Sequence, residues 1–461
     1  MLTTGIPFDP TAWAAFTFGG VQLGDQRRTR RAVQLAAALM RNPSASLPHQ
    51  LRAPKDLKAA YRLLAEPDVT HAKLLAPHVQ HTRGVAGGAD VVLLVQDTTT
   101  LNYTHHSTTT GLGPIAPATG QGFFLHTALA VIPQPRQVLG IAYQEPFVRQ
   151  PAPPHETRTQ RRQRPRESQV WTRAATGIGP PPPGATWVHV GDAASDMFEL
   201  LAACQRQRAD FLIRAAQDRR VQVPDGTCDH LFSLARALPA QATRPLALPA
   251  RPARPARTAL LSIAWRPLCL LAPRKGPRQP PVQGWVIRVW EATPPAGVEA
   301  LEWVLLTSVP TTTLAAAWER ADWYTCRWLD EDYHQCLKTG CQIEQRQLQT
   351  QAGLARLLGL LAPVAVQLLQ LRELARLDPE CPAQEVVPRE VVQVVAALRA
   401  VPVATLTVGA CWQEVARQGG YLGRKGDGQP GWKTLWRGWL YIQTLLEGVH
   451  LAPRLPRDEY G

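Results

Sequence analysis

Acidic residues stand at two points where an α/β protein can build a catalytic site. Two apolar runs end in an aspartate, LLVQ before Asp97 and VHVG before Asp192, and both runs have the character of β-strands. Side chains at strand ends can converge because backbone pairing stops there. One such aspartate is often only a turn or a helix cap. Two in one domain, with a third carboxylate on a helix, indicate a site more strongly.

The third carboxylate, Glu331, lies in a segment that is predicted to form one helix ending at Gly340, LAAAWERADWYTCRWLDEDYHQCLKTG. Tyr324, Arg327 and Lys338 would share its face, because four residues at i, i+3, i+7 and i+14 fall within an arc of roughly 60°. A carboxylate beside two cations suits the handling of phosphate groups. A solvated stripe with ordinary ion pairs explains the same pattern equally well.

Three carboxylates are suited to metal-dependent cleavage of a phosphodiester. Two Mg²⁺ ions about 3.5 to 4 Å apart can activate the attacking oxygen and stabilise the leaving one, and Mg²⁺ prefers hard oxygen ligands. We therefore predict Asp97, Asp192 and Glu331 as catalytic residues and metal ligands, with Mn²⁺ as a substitute ion. The G-x-S-x-G and H-E-x-x-H motifs of other hydrolases are absent from the sequence.

A zinc site is the weaker metal hypothesis. One histidine and three cysteines lie close together in the sequence: Cys326, His334, Cys336 and Cys341. Their spacing fits none of the usual zinc ligand pairs. The eight cysteines are scattered, without a C-x-x-C pair, and are predicted to be reduced thiols of a cytosolic chain.

The N-terminal part, residues 1–72, is predicted to be helical and basic. Asp25 is placed as an N-cap, and Arg27, Arg28 and Arg30 follow in the first turns of a helix. Such arginines suit contact with a DNA backbone. For any single arginine, a solvated charged face is an equally good interpretation.

Strand patterns begin near residue 90 and continue through a predicted β-rich insertion at about 216–300. Within it, residues 226–260 are low in complexity and rich in Ala, Pro and Arg, which predicts long loops. A long apolar helix is predicted at about 352–376. A Trp-rich helical region, WKTLWRGWLYIQTLLEGV, closes the chain.

Composition narrows the classes of function. The chain has 461 residues, of which 45% are hydrophobic and 19% charged, as in a folded protein rather than a disordered one. A formal net charge of +14 favours a polyanionic partner, although a merely basic soluble protein has the same property. Polar residues and Pro363 interrupt the most apolar stretch, so we expect no membrane span, and the first residues lack a signal-peptide pattern.

At these residues the sequence resembles the IS4 family of bacterial DDE cut-and-paste transposases, and in particular its Tn5-like members. The signature is Y-x-x-R-x-x-x-E-x-x-x-x-x-x-K, present as YTCRWLDEDYHQCLK. LGDQRRTRRAV, AAYRLLAEPDV, QDTTTLNY, WVLLTS and GWKTLWRGW also match in order, so that the resemblance spans nearly the whole chain.

The resemblance implies roles for individual residues. Asp97, Asp192 and Glu331 are implied as the metal ligands, and Tyr324, Arg327 and Lys338 as contacts to phosphates near the cleaved end. Trp303 is implied to stack on a flipped base, which needs an aromatic surface to replace its lost stacking. An ordinary buried tryptophan is the competing interpretation of Trp303. Arg214, which ends the DFLIR strand, is implied as a basic active-site residue.

The family also implies an architecture and a reaction. We expect a helical DNA-binding domain at 1–72, an RNase H-like catalytic core at 73–373 and a helical dimerisation domain at 374–461. The expected reaction is nicking, hairpin formation, hairpin opening and strand transfer, within a homodimer bound to two transposon ends and target DNA. A cytoplasmic, nucleoid-associated location follows from these partners.

The sequence departs from the family pattern at several positions. Acidic and basic family residues after the second aspartate are replaced by Ala193 and Ala194, although Asp196 is retained. Phe123 and Phe124 stand where tryptophans are expected. An RNase H-like nuclease without joining activity, or a DNA-binding regulator descended from a transposase, are the alternative functions.

Overall fold

The computed structural model describes residues 9–115, 120–150, 153, 155–157, 160, 166–248, 255–274, 279–424 and 427–454. Helices come first along this described chain, a mixed sheet follows, and a second helical region comes after the sheet. The mixed α/β class predicted from the sequence is therefore confirmed, whereas an RNase H-like core stays a prediction.

The N-terminal helices form where the sequence predicts them. Their bounds are α1 Pro10–Phe18, α2 Gln26–Arg41, α3 Leu47–Gln50, α4 Pro54–Ala65 and α5 His71–Ala86. The Asp25 carboxylate accepts a hydrogen bond from the Arg27 backbone N–H at 2.7 Å, which confirms the predicted N-cap of α2. Helix α4 begins at Pro54, a position where proline fits because the first helical N–H has no intrahelical partner.

One mixed sheet runs through the middle of the described chain. Its strands are β1 Val91–Asn102, β2 Gly113–Pro114, β3 Gln121–Ile132, β4 Gln137–Phe147, β5 Thr186–Gly191, β6 Asp210–Arg214, β7 Arg220–Gln222, β8 Cys228–His230, β9 Ala242–Leu248, β10 Arg257–Leu270, β11 Val282–Glu291 and β12 Glu302–Thr307. The order is β2-β3-β1-β5-β6-β12-β11-β10-β7-β8, with β4 beside β3 and β9 beside β10. Strands β1, β5 and β6 are mutually parallel, so their carboxyl ends meet at one edge of the sheet.

The strands of the predicted insertion extend this sheet, because β12 pairs with both β6 and β11. The prediction of long loops at 226–260 is wrong for much of that range. Strand β8, helix α8 (Leu231–Ala237) and strand β9 occupy it, and residues 249–254 lie outside the described residues. Strand β9 pairs with β10 along its whole length and alternates half-buried with exposed side chains. Pairing with a long neighbouring strand thus outweighs the weak strand propensity of an Ala/Pro/Arg sequence.

Helices cover the sheet and continue beyond it. Their bounds are α6 Gln169–Ile178, α7 Phe198–Arg206, α9 Leu314–Thr325, α10 Trp328–Gln335, α11 Gln351–Leu377, α12 Ala383–Val386, α13 Arg389–Arg399, α14 Val408–Gln418 and α15 Trp432–Leu451. The long apolar helix predicted at 352–376 is α11.

The segment predicted as one helix ending at Gly340 is not a single regular helix. Around Arg327 the backbone forms i→i+3 hydrogen bonds, which tighten the winding between α9 and α10. After α10, a π-helical turn at Cys336–Gly340 loosens it, with the Cys341 N–H donating to the Cys336 carbonyl at 2.8 Å. The prediction that Tyr324, Arg327, Glu331 and Lys338 share one helix face assumed a regular helix with 100° per residue. The assumption of regular winding is wrong.

Helix α11 lies in the core between the two helical regions. It contacts α2, α4, α5, β4 and α14, and its N-cap, Thr350, accepts from the Gly353 N–H at 3.0 Å. In the described chain it is the helix that is long and apolar enough to cross a membrane, yet its most apolar 18 residues are 89% buried inside the protein. Helix α11 is therefore a core helix.

Candidate active site

Asp97 and Asp192 lie at level positions on neighbouring parallel strands. Val95 of β1 is paired with Val190 of β5, and each aspartate comes two residues after its member of this pair. Asp192 also begins a short 3₁₀ turn, because its carboxylate accepts from the Ala194 N–H at 2.9 Å. Parallel pairing in this register therefore brings both carboxyl groups to the level at which β5 ends. Strand β1, predicted to end at Asp97, continues to Asn102 along β3.

Glu331 approaches the two aspartates from helix α10, which packs on β1. Its Oε1 lies 2.6 Å from Arg327 Nη1 in an i,i+4 ion pair. The Arg327 guanidinium also lies 5.0 Å from the centre of the neighbouring Trp328 ring. Arg327, a predicted phosphate contact, thus forms an ion pair with Glu331, a predicted metal ligand.

The ionisation of Asp97 shows that these groups interact. The pKa of Asp97 is raised from 3.8 to about 6, mainly by burial and also by the negative charges of Asp192 and Glu331, whereas the Thr98 N–H and Arg327 oppose the shift. The Asp97 carboxylate accepts from the Thr98 N–H at 2.8 Å. The edge of the sheet therefore holds an excess of negative charge that the surrounding protein does not fully neutralise.

Tyr324 and Trp303 form an aromatic contact beside the carboxylates. Their ring centres are 5.5 Å apart in an edge-to-face arrangement, with Trp303 half-buried on β12 and Tyr324 buried on α9. Burial raises the pKa of Tyr324, an effect opposed by the nearby charges of Arg327 and Arg214. Arg214 is exposed at the end of β6 and donates to the Glu302 carbonyl at 3.4 Å.

Lys338 lies farther along the same edge, on the π-helical turn. Its Nζ is 3.9 Å from Glu344 Oε1, and that oxygen accepts from the Asn102 N–H at the end of β1 at 2.8 Å. Lys338 is therefore linked to the end of β1 through Glu344. Its backbone lies in a π-helical turn, a feature that is frequent at functional sites.

A second acidic residue and a histidine join Asp97 in a cluster that the sequence interpretation missed. Ligand atoms of Asp97, Asp330 and His334 all lie within 4.8 Å of one another. Among the described residues, Asp97, Asp192 and Glu331 form no group as close as this one. The signal available in the sequence was the i,i+4 spacing of Asp330 and His334 within one predicted helix.

The predicted zinc ligands do not come together in the described chain as such a group. A ring nitrogen of His334 instead lies within 4.8 Å of carboxylate oxygens of Asp97 and Asp330. Cys326, Cys336 and Cys341 are buried, and burial raises the pKa of each thiol, which disfavours the thiolate that binds zinc.

Asp196, retained from the family pattern, is a buried anchor. Its carboxylate accepts from the Ala216 and Gln217 N–H groups and forms an ion pair with buried Arg219 at 2.5 Å. Asp196 follows the turn begun by Asp192, and the residues it binds follow Arg214. Asp196 therefore links the segment after β5, which carries Asp192, to the segment after β6, which follows Arg214.

The two phenylalanines at the expected tryptophan positions pack within the sheet. Phe123 stacks on Tyr103, with ring centres 5.6 Å apart, and Phe124 stacks on Phe147 at 5.4 Å. The Arg149 guanidinium lies 4.6 Å from the Phe124 ring centre.

The N-terminal arginines lie outside this site, on α2. Arg27 and Arg30 are exposed, whereas Arg28 is half-buried and bound to Glu66 at 2.6 Å and to Asp68 at 3.4 Å. Two of the three predicted DNA contacts are thus presented to solvent, and the third is engaged within the protein.

Comparison with protein families gives a match at each end of the chain. Residues 10–69 match the family described as transposase DNA-binding, and residues 364–457 match the transposase Tn5 dimerisation domain. The first match covers α1 to α4, and the second begins inside α11 and covers the helices after it. Together they support the resemblance that the signature motif indicates.

Proposed function

We propose that this chain, a Tn5-like transposase of the IS4 family by its two terminal domains, cuts DNA at the ends of its own element and joins the freed 3′-hydroxyl groups to target DNA. The N-terminal helices bind the end sequences, and the C-terminal helices hold two copies together. A location in the cytoplasm, at the nucleoid, follows from this DNA substrate.

The observation that carries the proposal is the convergence of three acids at one sheet edge. Asp97 and Asp192 are level on adjacent parallel strands, and Glu331 is close enough to raise the pKa of Asp97. The strand order β4-β3-β1-β5-β6, with its last three strands parallel, supports an RNase H-like core for the catalytic domain.

The residues at this edge fit divalent metal ions. All three side chains offer hard carboxylate oxygens, and the pKa of Asp97 is raised first by burial and then by Asp192 and Glu331, so that a bound cation would stabilise its charged form. We assign Asp97, Asp192 and Glu331 as ligands of two Mg²⁺ ions, for which Mn²⁺ substitutes. When bound, the ions supply activation of the attacking oxygen and stabilisation of the leaving oxygen.

The remaining residues position the DNA. Arg327, Lys338 and Arg214 offer cations to phosphate oxygens around the cleaved bond, and Tyr324 offers a hydroxyl. Because Arg327 binds Glu331 at 2.6 Å, phosphate and Glu331 share one guanidinium, which couples DNA binding to the orientation of the carboxylate. Trp303 provides the surface on which a flipped base stacks while the hairpin forms.

The decisive experiment is cleavage of a DNA fragment that carries the flanking ends of the gene, with Mg²⁺ and with the Asp97→Ala variant as control. We expect cleavage at the ends, with hairpin intermediates, by the parent protein only. Binding without cleavage in Mg²⁺ or Mn²⁺ would indicate a regulator instead. Cleavage of unrelated sequences would indicate a nuclease.

A further inference from the structure

A second ligand cluster shares Asp97 with the proposed magnesium site and adds two buried residues, Asp330 and His334. Asp330 and His334 are one turn apart on α10, so their side chains leave the same face of the helix, and Asp97 meets them from β1. Ligand atoms of all three lie within 4.8 Å of one another. The cluster thus joins the helix that carries Glu331 to the strand that carries Asp97.

Asp330 lacks the partners that a buried carboxyl group needs. Its exposed fraction is 0%, and neither carboxyl oxygen has a hydrogen-bond partner among the described residues. Arg327, the neighbouring cation, donates its hydrogen bond to Glu331 instead. A buried polar group without a partner is costly, and a bound ion is one of the few ways to satisfy it.

One ring nitrogen of His334 has a hydrogen-bond partner outside the cluster. Its Nε2 lies 3.3 Å from the Thr127 hydroxyl, which in turn accepts from Gln144 at 3.1 Å. Outer partners of this kind fix the orientation of a histidine ring and leave its other nitrogen for a metal. Gln144 also donates to the hydroxyl of Tyr333, the residue before His334, at 2.8 Å. Gln144 therefore supports α10 both directly, at Tyr333, and through Thr127, at His334.

We propose that Asp97, Asp330 and His334 form a buried site for a divalent transition-metal ion of the Mn²⁺ or Zn²⁺ class. The mixed set of two carboxylates and one imidazole selects this class over Mg²⁺, which favours oxygen ligands alone. The site is distinct from the proposed magnesium site in two of its three ligands and shares Asp97 with it. Metal binding here does not rest on the transposase reaction and can be measured without DNA.

The test is pulsed EPR of the full-length, chelator-treated protein with one equivalent of Mn²⁺. We expect a ¹⁴N hyperfine coupling from the His334 imidazole. This coupling distinguishes the new site from the proposed magnesium site, because the latter offers only oxygen ligands. The coupling should disappear in the His334→Gln variant. Mn²⁺ affinity should fall at least about tenfold in Asp330→Asn, because removal of even an outer partner of a metal ligand lowers metal affinity by about that factor. Asp192→Asn is the matched control and should keep the coupling.

A second measurement covers variants that fold poorly. Zn²⁺ should raise the thermal unfolding midpoint of the parent and of Asp192→Asn, but not that of Asp330→Asn, which preserves the shape of the side chain. Three outcomes would overturn the proposal: bound Mn²⁺ without nitrogen coupling in the parent, coupling that persists in His334→Gln, or a Zn²⁺ effect that depends on Asp192 rather than Asp330. Failure of DNA cleavage alone would bear on the proposed function and leave this site standing.

Discussion

At the scale of single residues, the candidate site is held in an electrostatically unfavourable state. Asp97 is half-buried among other carboxylates, and burial followed by repulsion from Asp192 and Glu331 raises its pKa to about 6. A fold optimised only for stability would not place these acids together. Functional sites commonly carry perturbed groups of this kind, because the arrangement serves a ligand that the free protein lacks.

The Asp97→Asn variant should therefore stabilise the metal-free protein at about pH 8. Since the folded-state pKa is raised, the protonated carboxyl favours the fold, and that contribution is lost as the pH rises through about 6. The neutral amide of the Asp97→Asn variant stays uncharged at every pH and keeps this contribution. We therefore expect the free energy of unfolding to rise by on the order of 1–2 kcal/mol, allowing for solvent screening. Thermal unfolding in chelator should show the gain shrinking as the pH falls to about 4. An equal gain at both pH values would contradict this origin.

Replacing Trp303 with Ala should impair hairpin formation more than first-strand nicking. The half-buried ring contacts Tyr324 at the edge of the site, and base stacking on an aromatic side chain contributes about 1–3 kcal/mol. Hairpin yield should fall by roughly tenfold or more, whereas Trp303→Phe should retain most of it. Denaturing gels of end-bearing DNA resolve both products. Equal loss of nicking and hairpin formation would indicate that Trp303 only supports the fold.

At the scale of elements, the strand ends are fastened by contacts behind the site. Asp196, in the segment after β5, accepts hydrogen bonds from two backbone N–H groups and pairs with the buried Arg219 guanidinium, all in the segment after β6. The strands bring Asp192 and Arg214 near each other, and this anchor limits how far their loops can move apart.

The Asp196→Ala variant should lose about 3–5 kcal/mol of stability, because it leaves the Arg219 charge buried and unpaired. Asp225→Ala is a matched control, since Asp225 pairs with Arg266 at 3.3 Å on the surface. Exposed pairs contribute about 0–1 kcal/mol, so the control should unfold almost like the parent. Thermal unfolding compares the two variants. Similar losses in both would remove Asp196 from its role as an anchor.

At the scale of the whole molecule, α11 connects the DNA-binding and dimerisation regions. The dimerisation match begins at residue 364, inside this helix, while Arg356 in its first half donates to the Leu64 carbonyl in the last turn of α4 at 2.9 Å. Helix α11 therefore belongs in part to the region that matches the dimerisation family and contacts helices of the region that matches the DNA-binding family.

DNA binding should depend steeply on salt, and α2 should account for part of that dependence. Each phosphate that the protein neutralises adds about 0.9 to the slope of log affinity against log salt. Arg27→Ala and Arg30→Ala should each lower the slope by about that amount, because both side chains are exposed. Arg28→Ala is the control, because its ion pairs with Glu66 and Asp68 already engage the guanidinium. Gel-shift titrations that give equal slopes for all three variants would argue against contact by this helix.

The sequence alone predicted several of the elements that carry the site and the family signature within them. Strand β5 before Asp192, the capped helix after Asp25 and the apolar helix α11 were all predicted, because local periodicity and caps depend on neighbouring residues. Strand β1 was predicted to end at Asp97, but it continues to Asn102 because its last residues pair with β3. The two terminal family matches agree with the signature motif.

Only the tertiary structure decided how these elements meet. Strand β9 forms from an Ala/Pro/Arg sequence because β10 lies beside it, and the winding around Arg327 and Lys338 departs from a regular helix. The cluster of Asp97, Asp330 and His334 depends on α10 packing against β1. This cluster joins residues more than 200 positions apart in the sequence. Sequence periodicity carries no information about packing between residues so far apart.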